Sequence, residues 1–164
     1  METTKSNIVL ILSLAATIIL LVLLSSFSTR ENATTGTNAE IIIIANPGNP
    51  ITTLSAAQVK EFYLREKTRR WPAINKNIRP TDRKTHCEEQ EVFYKKVLGM
   101  LADDVERYFI SRQYQNAEKS QDKFATDKEI IEFVGTEVGA IGFVNAASLN
   151  TEAKGKIKVL LRVN

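Results

Sequence analysis

From Ile8 to Leu24 the chain is apolar apart from Ser13 and Thr17, and no charged residue stands between Lys5 and Arg30. A membrane span needs about 20 apolar residues and a signal-peptide core about 7–15, so this run falls between the two. Residues 1–28 are therefore expected to be a signal peptide or a transmembrane anchor, and the long apolar core favours an uncleaved anchor. Ser26-Phe27-Ser28 places small residues where cleavage after Ser28 would need them. Lys5 and the α-amino group hold the amino terminus inside, which sends the rest of the chain across the membrane. Thr29 to Ala39 is polar, small and non-periodic, and reads as a flexible linker. The folded domain is expected over residues 40–164.

Within that domain the pattern alternates between short apolar runs and amphipathic stretches. Ile41 to Ala45 is a β-branched run, read as a strand buried on both faces. Asn46-Pro47-Gly48-Asn49-Pro50 breaks it. Ser55-Ala56-Ala57-Gln58 is a capping box opening a helix that carries Val59, Phe62 and Tyr63 on one face. Arg65 to Lys84 is irregular, ending in a short extended piece over Ile78-Arg79-Pro80. Glu88 to Leu98 is read as a helix closed by Gly99, with its acids leading and Lys95-Lys96 at its end, as the helix dipole prefers.

A third helix is expected from about Asp103, then a polar loop from Gln113 to Phe124. Thr126-Asp127-Lys128-Glu129 is a second capping box, opening a helix that Gly135 ends. Val138 to Val144 reads as a strand whose glycines allow close approach, and Lys156 to Val163 as the last strand. The order β-α-β-α-α-α-β-β, with long crossovers, predicts an α/β domain with a central sheet and flanking helices.

Composition narrows the chemistry. Of 164 residues 43% are hydrophobic and 25% charged, which excludes a disordered chain and a polytopic membrane protein. One cysteine, Cys87, leaves no intramolecular disulfide, and one histidine, His86, leaves little for a metal site. There is no nucleophile elbow, phosphate-binding loop or zinc-protease motif, so no enzyme, catalytic residue or cofactor is expected. A net charge of +3 on an exported domain disfavours nucleic acid as a partner. The charge is unevenly placed, however. Residues 65–84 hold eight cationic side chains against Glu66 and Asp82, a net of +6.

Three stretches together resemble a known family. They are Ile44 to Phe62, with its Asn-Pro-Gly-Asn-Pro turn and Leu-Ser-capped helix; Trp71-Pro72 followed by Phe93-Tyr94-Lys95-Lys96-Val97-Leu98-Gly99; and Thr126 to Val144, ending in Gly-Ala-Ile-Gly-Phe-Val. The set is similar to the small PBP-like proteins related to the phosphate-binding component of ABC-type phosphate transporters. The resemblance implies a type 2 periplasmic-binding-protein fold, and residues 40–164 suffice for a single lobe. It further implies a bacterial periplasmic location, tethered to the inner membrane by the first helix or released if that helix is cleaved. The ligand it implies is inorganic phosphate or a similar oxyanion, held by Asn46, Asn49, Thr81, Asp82, Arg83 and Lys84.

A second expectation stays open. Glu88, Glu89 and Glu91 fill the first turn of the helix that follows the basic stretch, and carboxylates there repel an anion. Gln90 stands where the family carries an arginine. The alternative is a membrane-tethered envelope interaction module with a degenerate ligand site, docking on a membrane or envelope protein.

Overall fold

The computed structural model describes residues 40–116 and 120–164. The expected anchor (1–28) and linker (29–39) lie outside the described residues, as do positions 117–119 of the expected polar loop. No helix among the described residues is long and apolar enough to cross a membrane.

The centre of the fold is β1 (Ile41–Ala45), every residue of which is fully buried. Ile41, Ile43 and Ala45 face one core and Ile42 and Ile44 the other, as a period of two requires. Each buried isoleucine contributes roughly 1.5–3 kcal/mol, and a strand covered on both faces buries all four. On one face lie α1 (Ala56–Leu64), α2 (Glu88–Phe93, continued by a π turn over Tyr94–Leu98) and α3 (Ala102–Asn116). On the other lie α4 (Asp127–Thr136) and α5 (Thr151–Lys156).

The remaining strands are β2 (Arg79–Arg83), β3 (Asp122–Phe124), β4 (Ala140–Asn145) and β5 (Lys158–Val163). The sheet order is β3-β2-β4-β1-β5. β2 is parallel to both β3 and β4, whereas β1 is antiparallel to β4 and β5. Gly142 in β4 lets α4 lie close: a Cβ there would stand 2.7 Å from Ile130 Cγ2 and 2.8 Å from Thr81 Oγ1.

Local signals set α1 as the sequence predicts. Ser55 and Gln58 form the reciprocal capping box, and Gly99 closes the π turn at φ +65°. Several expectations need correction. The piece expected over Ile78-Arg79-Pro80 is the start of a strand that runs on to Arg83. The expected loop from Gln113 to Phe124 begins as the last turn of α3 and ends as β3, which pairs with β2 from Thr81↔Asp122 to Arg83↔Phe124.

Thr126 caps α4, but Glu129 bonds the Ala125 N–H instead of closing a capping box. Gly135 does not end α4. It lies inside the helix because the Lys156 carbonyl of α5 packs where a Cβ would sit, 3.1 Å away. The last strand starts at Lys158, after a short helix, α5, that the sequence reading omits.

Candidate functional site

Three parallel strands end at one edge of the sheet, β2 at Arg83, β3 at Phe124 and β4 at Asn145. Ligands of parallel α/β sheets collect beyond such carboxyl ends. A recess of about 440 Å³ opens there, lined among others by Arg83, Thr85, Glu89, Thr126, Asp127 and Ser148.

Arg83 governs this recess. Its side chain is only 7% exposed and passes over the Phe143 ring, with Cζ 5.9 Å from the centroid. Nη2 donates to Asp127 Oδ1 in an ion pair. The other carboxylate oxygen of Asp127 accepts the Asn145 N–H at 3.1 Å and the Ser148 hydroxyl at 2.5 Å. Donors from β2, the end of β4 and the turn after it thus converge on one carboxylate. That carboxylate also sits in the first turn of α4, where the helix dipole favours negative charge. Arg83 Nε is buried and has no hydrogen-bond partner among the described residues.

The six residues expected to share a ligand do not come together. Thr81, Asp82, Arg83 and Lys84 run along β2 and just past its end. Asn46 and Asn49 follow β1, which is antiparallel to β4, and so stand at the opposite sheet edge. Asn46 Nδ2 donates to the Val134 and Gly135 carbonyls at the carboxyl end of α4, whereas Arg83 meets Asp127 at its amino end. Eight residues of helical rise put these contacts roughly 12 Å apart. Asn46 Oδ1 accepts the Gly48 N–H, and Asn49 Oδ1 accepts the Ile51 N–H, so both shape the turn after β1.

The basic stretch is likewise divided. Arg79 pairs with Asp122 and Glu137 near the amino end of β2. Arg69, Arg70 and Lys76 lie on a hairpin-like excursion, where Ile78 bonds Arg69 and Trp71 bonds Lys76. Arg83 ends β2 at the carboxyl edge, and Lys84 follows it.

No protein-family model matches the chain, and no curated protein matches it in sequence. Solved structures do match. The chain superposes on a protein from Clostridium perfringens, assigned as a phosphate ABC transporter substrate-binding protein and solved with bound phosphate, with a TM-score of 0.56 and 16% identity. An ABC-type phosphate transport receptor from Vibrio cholerae gives 0.55 and 15%, and PstS from Borrelia burgdorferi 0.54 and 15%. The chain shares the fold of these substrate-binding proteins. Each comparison covers 74% of this chain but only 45%, 47% and 47% of the respective neighbour, so the chain spans less than half their length.

Within this substrate-binding-protein fold, β2 carries a buried polar network beside Arg83. Asp82 is 2% exposed and accepts from Gln90 Nε2 at 2.8 Å and from the Tyr94 hydroxyl at 2.9 Å. Gln90 and Tyr94 are one helical turn apart, so both reach the same carboxylate. The Tyr63 hydroxyl donates to the Thr81 carbonyl at 3.0 Å. Lys84, by contrast, is exposed, and its backbone N–H bonds Phe124. His86 makes an exposed contact of 2.7 Å with Glu91, and burial pushes the neighbouring Cys87 thiol up.

Burial, reinforced by the charge of Asp82, raises the Tyr63 and Tyr94 phenols well above their ordinary value of 10.0. The unfolded chain releases these protons first, so stability falls as pH rises above about 10. In a near-ultraviolet absorbance titration, Tyr63 and Tyr94 should stay protonated until the domain unfolds. Reversible ionisation of all four tyrosines in the folded state would contradict this.

The sequence reading missed Asp127 as a partner of Arg83, and missed Asn145 and Ser148 altogether. Asp127 carries an ordinary helix-start signature. Nothing in its spacing from Arg83 announces the pair.

Proposed function

We propose that this chain is an exported bacterial binding protein, not a catalyst, whose ligand is a small oxyanion such as phosphate taken at Arg83. The fold supports a substrate-binding kind of function. The carrying observation is that Arg83 Nη2, the Asn145 N–H and the Ser148 hydroxyl already hold an oxyanion, the carboxylate of Asp127. A free oxyanion enters by displacing that carboxylate. Residues 1–28 tether the domain to the inner membrane on its periplasmic side, or release it there if cleaved.

The test is the melting temperature of the full chain with millimolar phosphate or sulfate. Ligand at a hundred times its Kd contributes about 2.7 kcal/mol, a shift of several degrees. The wild type should respond, and Asp127→Asn should respond at lower phosphate because the internal competitor is weakened. No shift in either protein with any oxyanion would overturn the assignment.

One observation favours a second reading, the envelope interaction module. Glu88, Glu89 and Glu91 occupy the first turn of α2, and Glu89 lines the recess itself. Burial alone would raise Glu89, but hydrogen bonds from its own backbone N–H and from Asn145 outweigh this and hold its carboxyl below the ordinary range. An ionised carboxylate there opposes a second anion. Under this reading Asp127 fills the site permanently, and in-cell crosslinking yields one membrane or envelope partner, unchanged by phosphate.

A further inference from the structure

A larger cleft opens between α2, α3 and β3, with a volume of about 520 Å³. That exceeds what an inorganic oxyanion fills and lies within the range of roughly 300–1,000 Å³ typical of organic-ligand sites. Its walls carry opposite charge. On the strand side stand Lys84, just past β2, and Lys123, in β3, next to Arg83 and the hydrogen-bonded Asp82; on the α3 side stand Asp103 and Glu106, one turn apart. Lys84, Lys123, Asp103 and Glu106 are exposed, and none of the four makes an ion pair among the described residues.

Phe109 and Ile110 add an apolar surface between these poles, and Ile110 is 46% exposed. Gln121 also lines the cleft. It is 8% exposed, and its Nε2 is buried with no hydrogen-bond partner among the described residues. Buried donors are rarely left unpaired, and this one calls for an acceptor such as a carbonyl.

We infer that this cleft binds a short peptide with free termini. The carboxylate end faces Lys84 and Lys123, the ammonium end faces Asp103 and Glu106, and an apolar side chain lies on Phe109 and Ile110. A backbone carbonyl of the peptide meets Gln121. An anion or a cation alone is repelled by one of the two walls. A single amino acid carries both charges on one carbon, so charges presented to opposite walls require a chain of about two to four residues in a cleft of this volume. The cleft borders the oxyanion recess, with Arg83 and His86 lining both, but its four exposed charges, Lys84, Lys123, Asp103 and Glu106, lie outside that recess.

Calorimetric titration of the full chain with the tripeptide Ala-Leu-Ala tests the inference, alongside its N-acetylated, C-amidated and doubly blocked forms. The free peptide should bind, and each single block should weaken it about tenfold or more, the loss of one charge-assisted contact. In Lys84→Gln/Lys123→Gln the free peptide should bind more weakly and C-amidation should have no further effect. In Asp103→Asn/Glu106→Gln the same should hold for N-acetylation. These four residues are exposed, so the variants are expected to fold. Absence of binding by the free peptide, or equal binding of the free and doubly blocked forms, overturns the inference. A response to phosphate with none to the peptide overturns it while leaving the oxyanion reading intact.

Discussion

Asp127→Ala should lower the stability of the domain by about 3–5 kcal/mol, because it removes the carboxylate that forms an ion pair with a buried arginine. The side chains of Arg83 and Asp127 are 7% and 14% exposed, so the pair is largely desolvated and loss of the carboxylate leaves a mostly buried charge uncompensated. The same substitution leaves the Asn145 N–H and the Ser148 hydroxyl without their acceptor. Against a typical total of about 5–15 kcal/mol this is a large loss. The urea midpoint of the full chain measures it.

Adding Arg83→Met should recover most of the loss, since an apolar side chain in that place needs no counter-charge. A cost below about 1 kcal/mol for Asp127→Ala would mean that Arg83 reaches solvent and that its pairing is no more than a surface contact. The same measurement bears on function. If the recess accepts free anions, millimolar phosphate should restore part of the stability lost in Asp127→Ala and none of that lost in the double variant.

The parts of the fold that were legible in the sequence are those set by neighbouring residues. Ile41 to Ala45 reads as an inner strand because the apolar run is short, β-branched and broken at once by Asn46-Pro47-Gly48. Ser55 and Gln58 start α1 through hydrogen bonds three residues apart. β2 is the opposite case. Arg79-Pro80-Thr81-Asp82-Arg83 has no alternation and only one apolar residue, and it is a strand because β3 and β4 pair with it. Asp82 is met by Gln90 and Tyr94 from the next helix and Arg83 by Asp127, 44 residues on, pairings that only the tertiary fold makes. α5 shows the same limit on a smaller scale. Thr151–Lys156 buries only Ala153, so no apolar stripe marks it as a helix.

The candidate site failed to emerge whole for a related reason. Sequence gives a strand's existence more readily than its direction. Asn46 and Arg83 each follow a strand, and only the antiparallel placement of β1 against β4 sends them to opposite edges. The net charge of residues 65–84 was legible, but its division was not. Arg79 is neutralised by Asp122 and Glu137, and the exposed cations around Trp71 belong to a separate excursion.

That excursion hangs on one residue, and Trp71→Ala should cost about 3–5 kcal/mol. Trp71 is fully buried, and its ring centre lies 4.9 Å from that of Phe62 on α1. Its indole N–H donates to the Gly139 carbonyl at 2.9 Å, tying the excursion to the start of β4. Its backbone closes the hairpin, donating to Lys76 at 2.8 Å and accepting from Asn75 at 2.9 Å. Truncation therefore leaves a cavity under the chain segment that leads into β2, the strand bearing Asp82 and Arg83. Trp71→Phe keeps most of the packing and loses the indole hydrogen bond, so it should cost only about 1–2 kcal/mol. Amide hydrogen exchange separates the two components. In Trp71→Ala, protection of Ile78 and Arg79 should fall well before that of Ile42 or Phe143, because the hairpin opens without the central strands. Uniform loss across the sheet would place Trp71 in the common core, and no change at Ile78 would show that the excursion holds its shape without the indole.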